Sequence, residues 1–257
     1  MRKLWIVAGL AALNIGFLFL FPRQARAQSA AVRVFSSNGI KAVMEELLPQ
    51  CERAIGHTIE IQFNSAAVLK QKIDAGEAFD VAILTPALID ELIQQGKIAP
   101  GTRSDIARSG IGIGVRAGAP KPDISTPAAL KQALLHAKSI TYARVGASRT
   151  YIEKMYERLG ITDAVRGKII LQDASGRPHT SVAEGESEMV ITLISEILPV
   201  PGIELVGPLP AELQSYLTLA AGAGAHARNA EVAQALIRFL SGPAAAPTFK
   251  AKGMEPR

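Results

Sequence analysis

Residues 31–39 read Ala31-Val32-Arg33-Val34-Phe35-Ser36-Ser37-Asn38-Gly39, a short apolar run that ends in small polar residues and passes straight into IKAVMEELLPQCERAIG (Ile40–Gly56). Strand, polar loop and helix start in that order bring backbone N–H groups above the strand end, where the helix dipole favours an anion. The pattern recurs in Thr58–Ala75, where TIEIQF runs into NSA and then AVLKQKIDA, and more weakly in Ser139–Gly160, where SITYARVGAS precedes RTYIEKMYERLG. Three such units facing one cleft would make a small-anion receptor, with the rest of the chain as its scaffold.

Around these units strands and helices alternate, which argues an α/β architecture with largely parallel sheets. Ile40, Val43, Leu47 and Leu48 share one helical face. Phe79–Leu84 reads as a buried strand, and Pro86 opens a helix that Gly96 ends. Further strands are expected at Ile111–Arg116, Lys168–Leu171, Met189–Leu193, Ile203–Val206 and Leu217–Ala221. Helices are expected after Ser125-Thr126-Pro127, for one or two turns at His179–Glu184, over Asn229–Leu240 and from Pro243. Gly110, Gly112 and Gly114 lie in an apolar run with no helix behind it, so they mark a connecting strand and not a dinucleotide loop.

The 257-residue chain begins with Met1-Arg2-Lys3, an apolar run Leu4–Phe21 and Ala25-Arg26-Ala27. That is the layout of a secretory signal over residues 1–27, cut before Gln28 and exporting the chain to the periplasm. The alternative is an uncleaved anchor, since the apolar run approaches membrane-spanning length. Arg2, Lys3, Arg23 and Arg26 fall in this segment with no acid, so the net charge drops from +5 to +1 once it is removed. The basic balance is thus a targeting property, and no nucleic-acid partner is expected. Cys51 stands alone within a helical pattern, which excludes an internal disulfide and reads as a buried small residue. His57, His136 and His226 are scattered and form no metal set, and no G-x-S-x-G surrounds Ser37 or Ser148, so neither metal nor cofactor is expected.

Several pieces in order, VFSSNG, IQFNSAAVLKQKIDAGEAFDVAIL, YIEKMYERLG, VAEGESEMVI and ALIRFLSGPAAAPTFKAKG, together resemble the periplasmic molybdate-binding protein family. That family lies within the two-lobed solute-binding proteins that feed ABC importers. The resemblance implies a type 2 periplasmic binding protein fold, each lobe a mostly parallel sheet flanked by helices, joined by two crossovers near Gly110–Arg116 and Leu198–Pro208. Lobe one would comprise 28–112 and 205–257, and lobe two 113–204. It further implies a monomer without cofactor that closes on a small anion and presents it to an ABC permease.

Aligned by the same motifs, the family's first serine falls at Gly39, beside Ser36, Ser37 and Asn38, and its second at Ala66, beside Asn64 and Ser65. The family's helix-start alanine falls at Ser148, and its late tyrosine at Leu193. Loops 146–150 and 175–181 add Arg149, Arg177, His179 and Thr180. A guanidinium fork matches a carboxylate two-on-two, whereas neutral dipoles serve a tetrahedral oxyanion. The arginines are therefore either carboxylate holders or solvated loop residues, and the ligand is a molybdate-like oxyanion or an organic di- or tricarboxylate. The chain also resembles periplasmic aconitate isomerase, itself similar to molybdate-binding proteins. That resemblance implies cis/trans-aconitate interconversion by allylic proton transfer, with Ser37, Asn38, Ser65, Ser148 and Arg149 as holders. His179 would be its base, or else a hydrogen-bonding loop histidine. Glu184, Glu186 and Glu188 precede a strand and should face solvent.

Overall fold

The computed structural model describes residues 30–146, 148–173 and 176–257; the signal read at 1–27 and the loop residues Ala147 and Ser175 lie outside the described residues. The chain opens with strand β1 (Val32–Ser37), a 3-10 turn (Asn38–Ile40) and helix α1 (Lys41–Ile55), the arrangement expected from 31–56. Then follow β2 (Ile59–Asn64), α2 (Ala66–Asp74), β3 (Val81–Leu84) and α3 (Pro86–Gln94). β1 pairs in parallel with β2 and β3. Alternate residues of these strands feed two cores. Val34, Val81 and Ile83 pack with the α1 face Val43, Met44, Leu47 and Cys51. Phe35, Ala82 and Leu84 pack with Leu69, Ile73, Ile89 and Leu92 of α2 and α3. The period of two along a strand thus divides one sheet between helices on opposite faces.

The next strand, β4 (Ser104–Arg116), is 13 residues long, more than twice the stretch expected from the sequence. After it come α4 (Pro127–His136), β5 (Ile140–Ala143), α5 (Arg149–Leu159), α6 (Thr162–Arg166), β6 (Ile169–Gln172), α7 (Arg177–Ala183), β7 (Met189–Leu193), α8 (Ile194–Ile197) and β8 (Ile203–Pro208). The chain ends in β9 (Tyr216–Ala223), α9 (Ala230–Leu240), α10 (Ala246–Ala251) and the short β10 (Glu255–Pro256). The helices α6 and α8 and strand β10 had no counterpart in the sequence reading. α8 was hidden because MVITLISEIL is one apolar run, in which a strand cannot be told from a following helical turn by periodicity.

The sheet order is β2-β1-β3-β9-β4-β7-β5-β6, with β8 and β10 paired to β4 off that path. β4 changes partners along its length. Residues 104–110 pair with β9, and Arg108 and Ala107 with β10. From Ile111 onward its partners are β7 and β8. One continuous strand is therefore the spine of two strand sets, and the chain returns to the first set after β8, through a segment bonded back to Ile111 by Leu209 and Gln214. Gly112 and Gly114 permit this. A β-carbon on Gly112 would meet Ile194 Cγ1 at 2.8 Å and the Gly207 carbonyl at 3.0 Å, and one on Gly114 would meet Ile203 and Val190 at 2.9 and 3.0 Å. Gly112→Ala is expected to destabilise the fold by about 1–3 kcal/mol, the cost of overpacking a filled interior. Denaturant titration checks this: an unchanged midpoint would mean that β4 and β8 separate freely.

The first set is also tied by a buried acid. Asp80 accepts from the Arg33 amide at 2.8 Å and the Arg228 amide at 2.9 Å, with the Arg33 Nε at 3.4 Å. Burial pushes its carboxyl up, but these donors outweigh burial and leave it below the usual carboxylate value.

Candidate functional site

Ser37 ends β1, Ser65 follows β2, Ala143 ends β5 and Leu193 ends β7, so a single cleft gathers the carboxyl ends of parallel strands from both sets. That is where open α/β sheets place their ligands. The cleft is lined by Ser37, Asn38, Gly39, Ser65, Ala66 and Leu217 from the first set, and by Ala143, Val145, Gly146, Ser148, Pro178, His179, Thr192, Leu193 and Glu196 from the second. None of these residues is Arg or Lys.

The donors are local products of the strand–loop–helix pattern. Ser65 caps α2, its hydroxyl accepting from the Val68 amide at 3.4 Å, while its own amide is held by Asn64 Oδ1 at 2.8 Å. Ala66 opens α2, and the first amides of a helix lack intrahelical partners. Ser148 stands before α5, buried, with its carbonyl accepting from the Tyr151 and Ile152 amides and its hydroxyl making no cap bond. Ser37 is buried just ahead of the 3-10 turn, again with no side-chain cap bond. Helix starts and hydroxyls thus face the cleft from both sides, the surroundings that stabilise a negative charge.

Other residues singled out from the sequence sit elsewhere. Ser36 is fully buried beneath the cleft, its hydroxyl turned to the Ser37 carbonyl at 3.4 Å. Asn64 and Thr180 do not line the cleft; the Thr180 hydroxyl donates to the Gly176 carbonyl at 3.2 Å. Arg149 does not line it either. Its Nε donates to Glu153 at 2.7 Å, one helical turn on, and its Nη1 to the Arg144 carbonyl at 2.9 Å. Arg177 is engaged by Glu184 and Glu186, both exposed.

Where the two sets meet, contact is close. The Ser195 hydroxyl donates to the Gly39 carbonyl at 2.8 Å, and the Ser195 amide to the Ser109 hydroxyl at 3.2 Å. A β-carbon on Gly39 would stand 3.0 Å from Leu193 Cδ1, so the leucine fills the space that the glycine leaves.

His179 is the titratable group of the cleft that the sequence had marked. It is 8% exposed, and its Nε2 has no hydrogen-bond partner among the described residues. Burial pushes the imidazole below the ordinary histidine value, against the opposing pull of Glu196 and a hydrogen bond to the Gly176 backbone. The neutral ring is therefore the resting form near neutral pH, with a nitrogen available to take a proton. Thr192 and Glu196 had escaped notice. The Thr192 hydroxyl donates to Glu196 Oε2 at 2.5 Å, fixing the acid beside the imidazole. Their spacing of four residues, across a strand end and the first turn of a helix, was the available signal.

Linkage predicts a pH signature. An imidazole held below its unfolded value of about 6.5 refuses a proton that the unfolded chain accepts, so stability is lost as pH falls from that value towards the folded one. The loss amounts to about 1.4 kcal/mol for each unit by which the folded value is lowered. Denaturant unfolding at pH 7.5 and 5.5 should show a larger acid loss in the parent protein than in His179→Gln. Equal losses would mean that His179 titrates as an exposed histidine.

Among the described residues no group of His, Cys, Asp and Glu could hold a metal ion, and no helix is long and apolar enough to cross a membrane. A family model described as bacterial extracellular solute-binding protein matches residues 32–255. The chain is 31% identical to an aconitate isomerase from Pseudomonas sp over 96% of this chain and 97% of the relative. It is 25% identical to the molybdate-binding protein ModA of Azotobacter vinelandii over 88% and 90%. The solved periplasmic molybdate-binding protein of Azotobacter vinelandii superposes with a TM-score of 0.73 at 18% identity, covering 87% of this chain and 98% of that one. The fold is thus that of the type 2, two-lobed periplasmic binding proteins.

Proposed function

The chain belongs to the bacterial extracellular solute-binding proteins, and from that premise we propose that its cleft closes on a small organic polycarboxylate and isomerises it, the chemistry named in its aconitate isomerase relative. The observation that carries this reading is the buried His179 imidazole, with its unpartnered Nε2, on the wall of a cleft suited to anions. Nε2 takes a proton from the methylene carbon of the bound ligand, the double bond shifts towards that carbon, and the proton is delivered to the former vinyl carbon. One C–H bond breaks, another forms, and no oxidant or reductant enters. The hydroxyls of Ser37, Ser65 and Ser148 and the amides around Asn38, Gly39 and Ala66 hold the carboxylates, and Leu193 forms the apolar wall. Ser36, Asn64 and Thr180 brace these loops. The reading makes no use of Arg149, which would first have to leave Glu153 and the Arg144 carbonyl. We place the lobe junctions where β4 changes partners and where the chain returns between β8 and β9; closure about them buries the ligand.

A second reading is favoured by the absence of Lys and Arg from the cleft lining. Neutral dipoles serve a tetrahedral oxyanion well. The protein would then be a monomeric periplasmic receptor, freed of its signal, that hands a molybdate-like anion to an ABC permease. The two readings part in one experiment. The protein is incubated with trans-aconitate and followed by proton NMR, with a parallel thermal shift in molybdate. Conversion to the cis form supports the isomerase. Stabilisation by molybdate without conversion overturns it in favour of the receptor.

A further inference from the structure

Behind the cleft lies a second cavity of about 340 Å³, whose walls include Lys41, Glu45, Gly176, Ser195, Pro199 and Val200. The two cavities share Asn38, His179 and Glu196, so His179 and Glu196 stand where they adjoin. We infer that Glu196 is the proton-relay partner of His179, passing its proton between the closed cleft and solvent in the rear groove. The inference rests on His179 being the acid–base group of the cleft.

Three features support a relay. Glu196 is held in place by the Thr192 hydroxyl at 2.5 Å, so its carboxylate is oriented and not free to swing into water. Its charge draws the imidazole towards protonation, against the larger opposing effect of burial. The other charges around the groove are engaged elsewhere. Lys41 and Glu45, from α1, pair with each other at 3.7 Å, and Arg177, on the histidine's own helix, is tied to Glu184 and Glu186. Of the charged groups facing His179, Glu196 is the one that also faces the ligand cleft. A cleft closed over its ligand excludes water, and a base inside it otherwise has no exchange with bulk except through the substrate.

Two measurements test the relay. In the ligand-free protein, the His179 imidazole is titrated by proton–nitrogen NMR in the parent and in Glu196→Gln. A drop of about one unit is expected when the neighbouring carboxylate is neutralised, with no change in the surface control Glu184→Gln. An unchanged His179 titration in Glu196→Gln overturns the pairing. In D2O with trans-aconitate, the parent's product should carry solvent deuterium at the newly protonated carbon. Glu196→Gln should retain the substrate's own hydrogen in a severalfold larger share. A parent product free of deuterium overturns the relay. A protein that shows the Glu196-dependent titration but converts no aconitate would sink the isomerase reading while leaving the His179–Glu196 couple in place.

Discussion

In His179→Gln, conversion of trans-aconitate is expected to fall by about 10²–10⁴-fold, the usual worth of a positioned general base. Glutamine fills much of the same space and can still donate a hydrogen bond, but it cannot take a proton at neutral pH. Ligand-induced thermal stabilisation should therefore survive while turnover disappears, because the holding groups, Ser37, Ser65, Ser148 and the helix-start amides, lie on other elements. The separation of the two readouts is the decisive part. Loss of both would make His179 a structural or binding residue, and retained turnover would remove it as the base.

Asp80→Ala is expected to cost about 3 kcal/mol of stability. The substitution leaves the Arg33 and Arg228 amides without their acceptor in a site where Asp80 is 3% exposed, and each orphaned buried donor costs about 1–3 kcal/mol. For a chain of this size the melting temperature should fall by about 6–12 °C. Asp80→Asn keeps one carbonyl but turns an NH2 group against the second amide, so an intermediate loss is expected. The parent's dependence on acid follows from the same site. A carboxyl held below its unfolded value contributes stability that is present above about pH 4 and lost as pH falls through the folded value. A melting temperature unchanged in Asp80→Ala would mean that water or another group satisfies both amides.

The strand–loop–helix pattern at 31–56 and 58–75 was legible because it is local: each strand, cap and helix start is written within about twenty residues. Ser37, Asn38, Gly39, Ser65, Ala66, Ser148, His179 and Leu193 could be named as a group from that pattern and the resemblance, and they share one cleft. What escaped depends on contacts distant in sequence. Glu196 reaches the cleft only because α8 turns immediately after β7, at a point where the apolar run conceals the change. The first half of β4 was missed because SDIARSG carries charges at positions that its partners β9 and β10, more than a hundred residues later, make tolerable at the sheet. Arg108, for example, is satisfied by Glu255 and lies over the Tyr216 ring. Arg149 and Arg177 drew attention as free forks, yet their acidic partners follow in the same helix or just beyond it. A loop arginine with a glutamate four residues on is an ion-pair candidate before it is a ligand holder.

The pairing of β4 has a bearing on how the chain comes to be folded as it is made. β3 needs β9, and the first half of β4 needs both β9 and β10, the last of which lies at Glu255–Pro256. During synthesis these two edges wait for nearly the whole remaining chain, on the order of ten seconds at ordinary elongation rates. The first strand set is thus begun by residues 32–110 and completed by residues 216–256, whereas the second set finds all its partners within residues 111–208. Such lateness makes β10, at Glu255–Pro256, a condition for completing the sheet begun by β1.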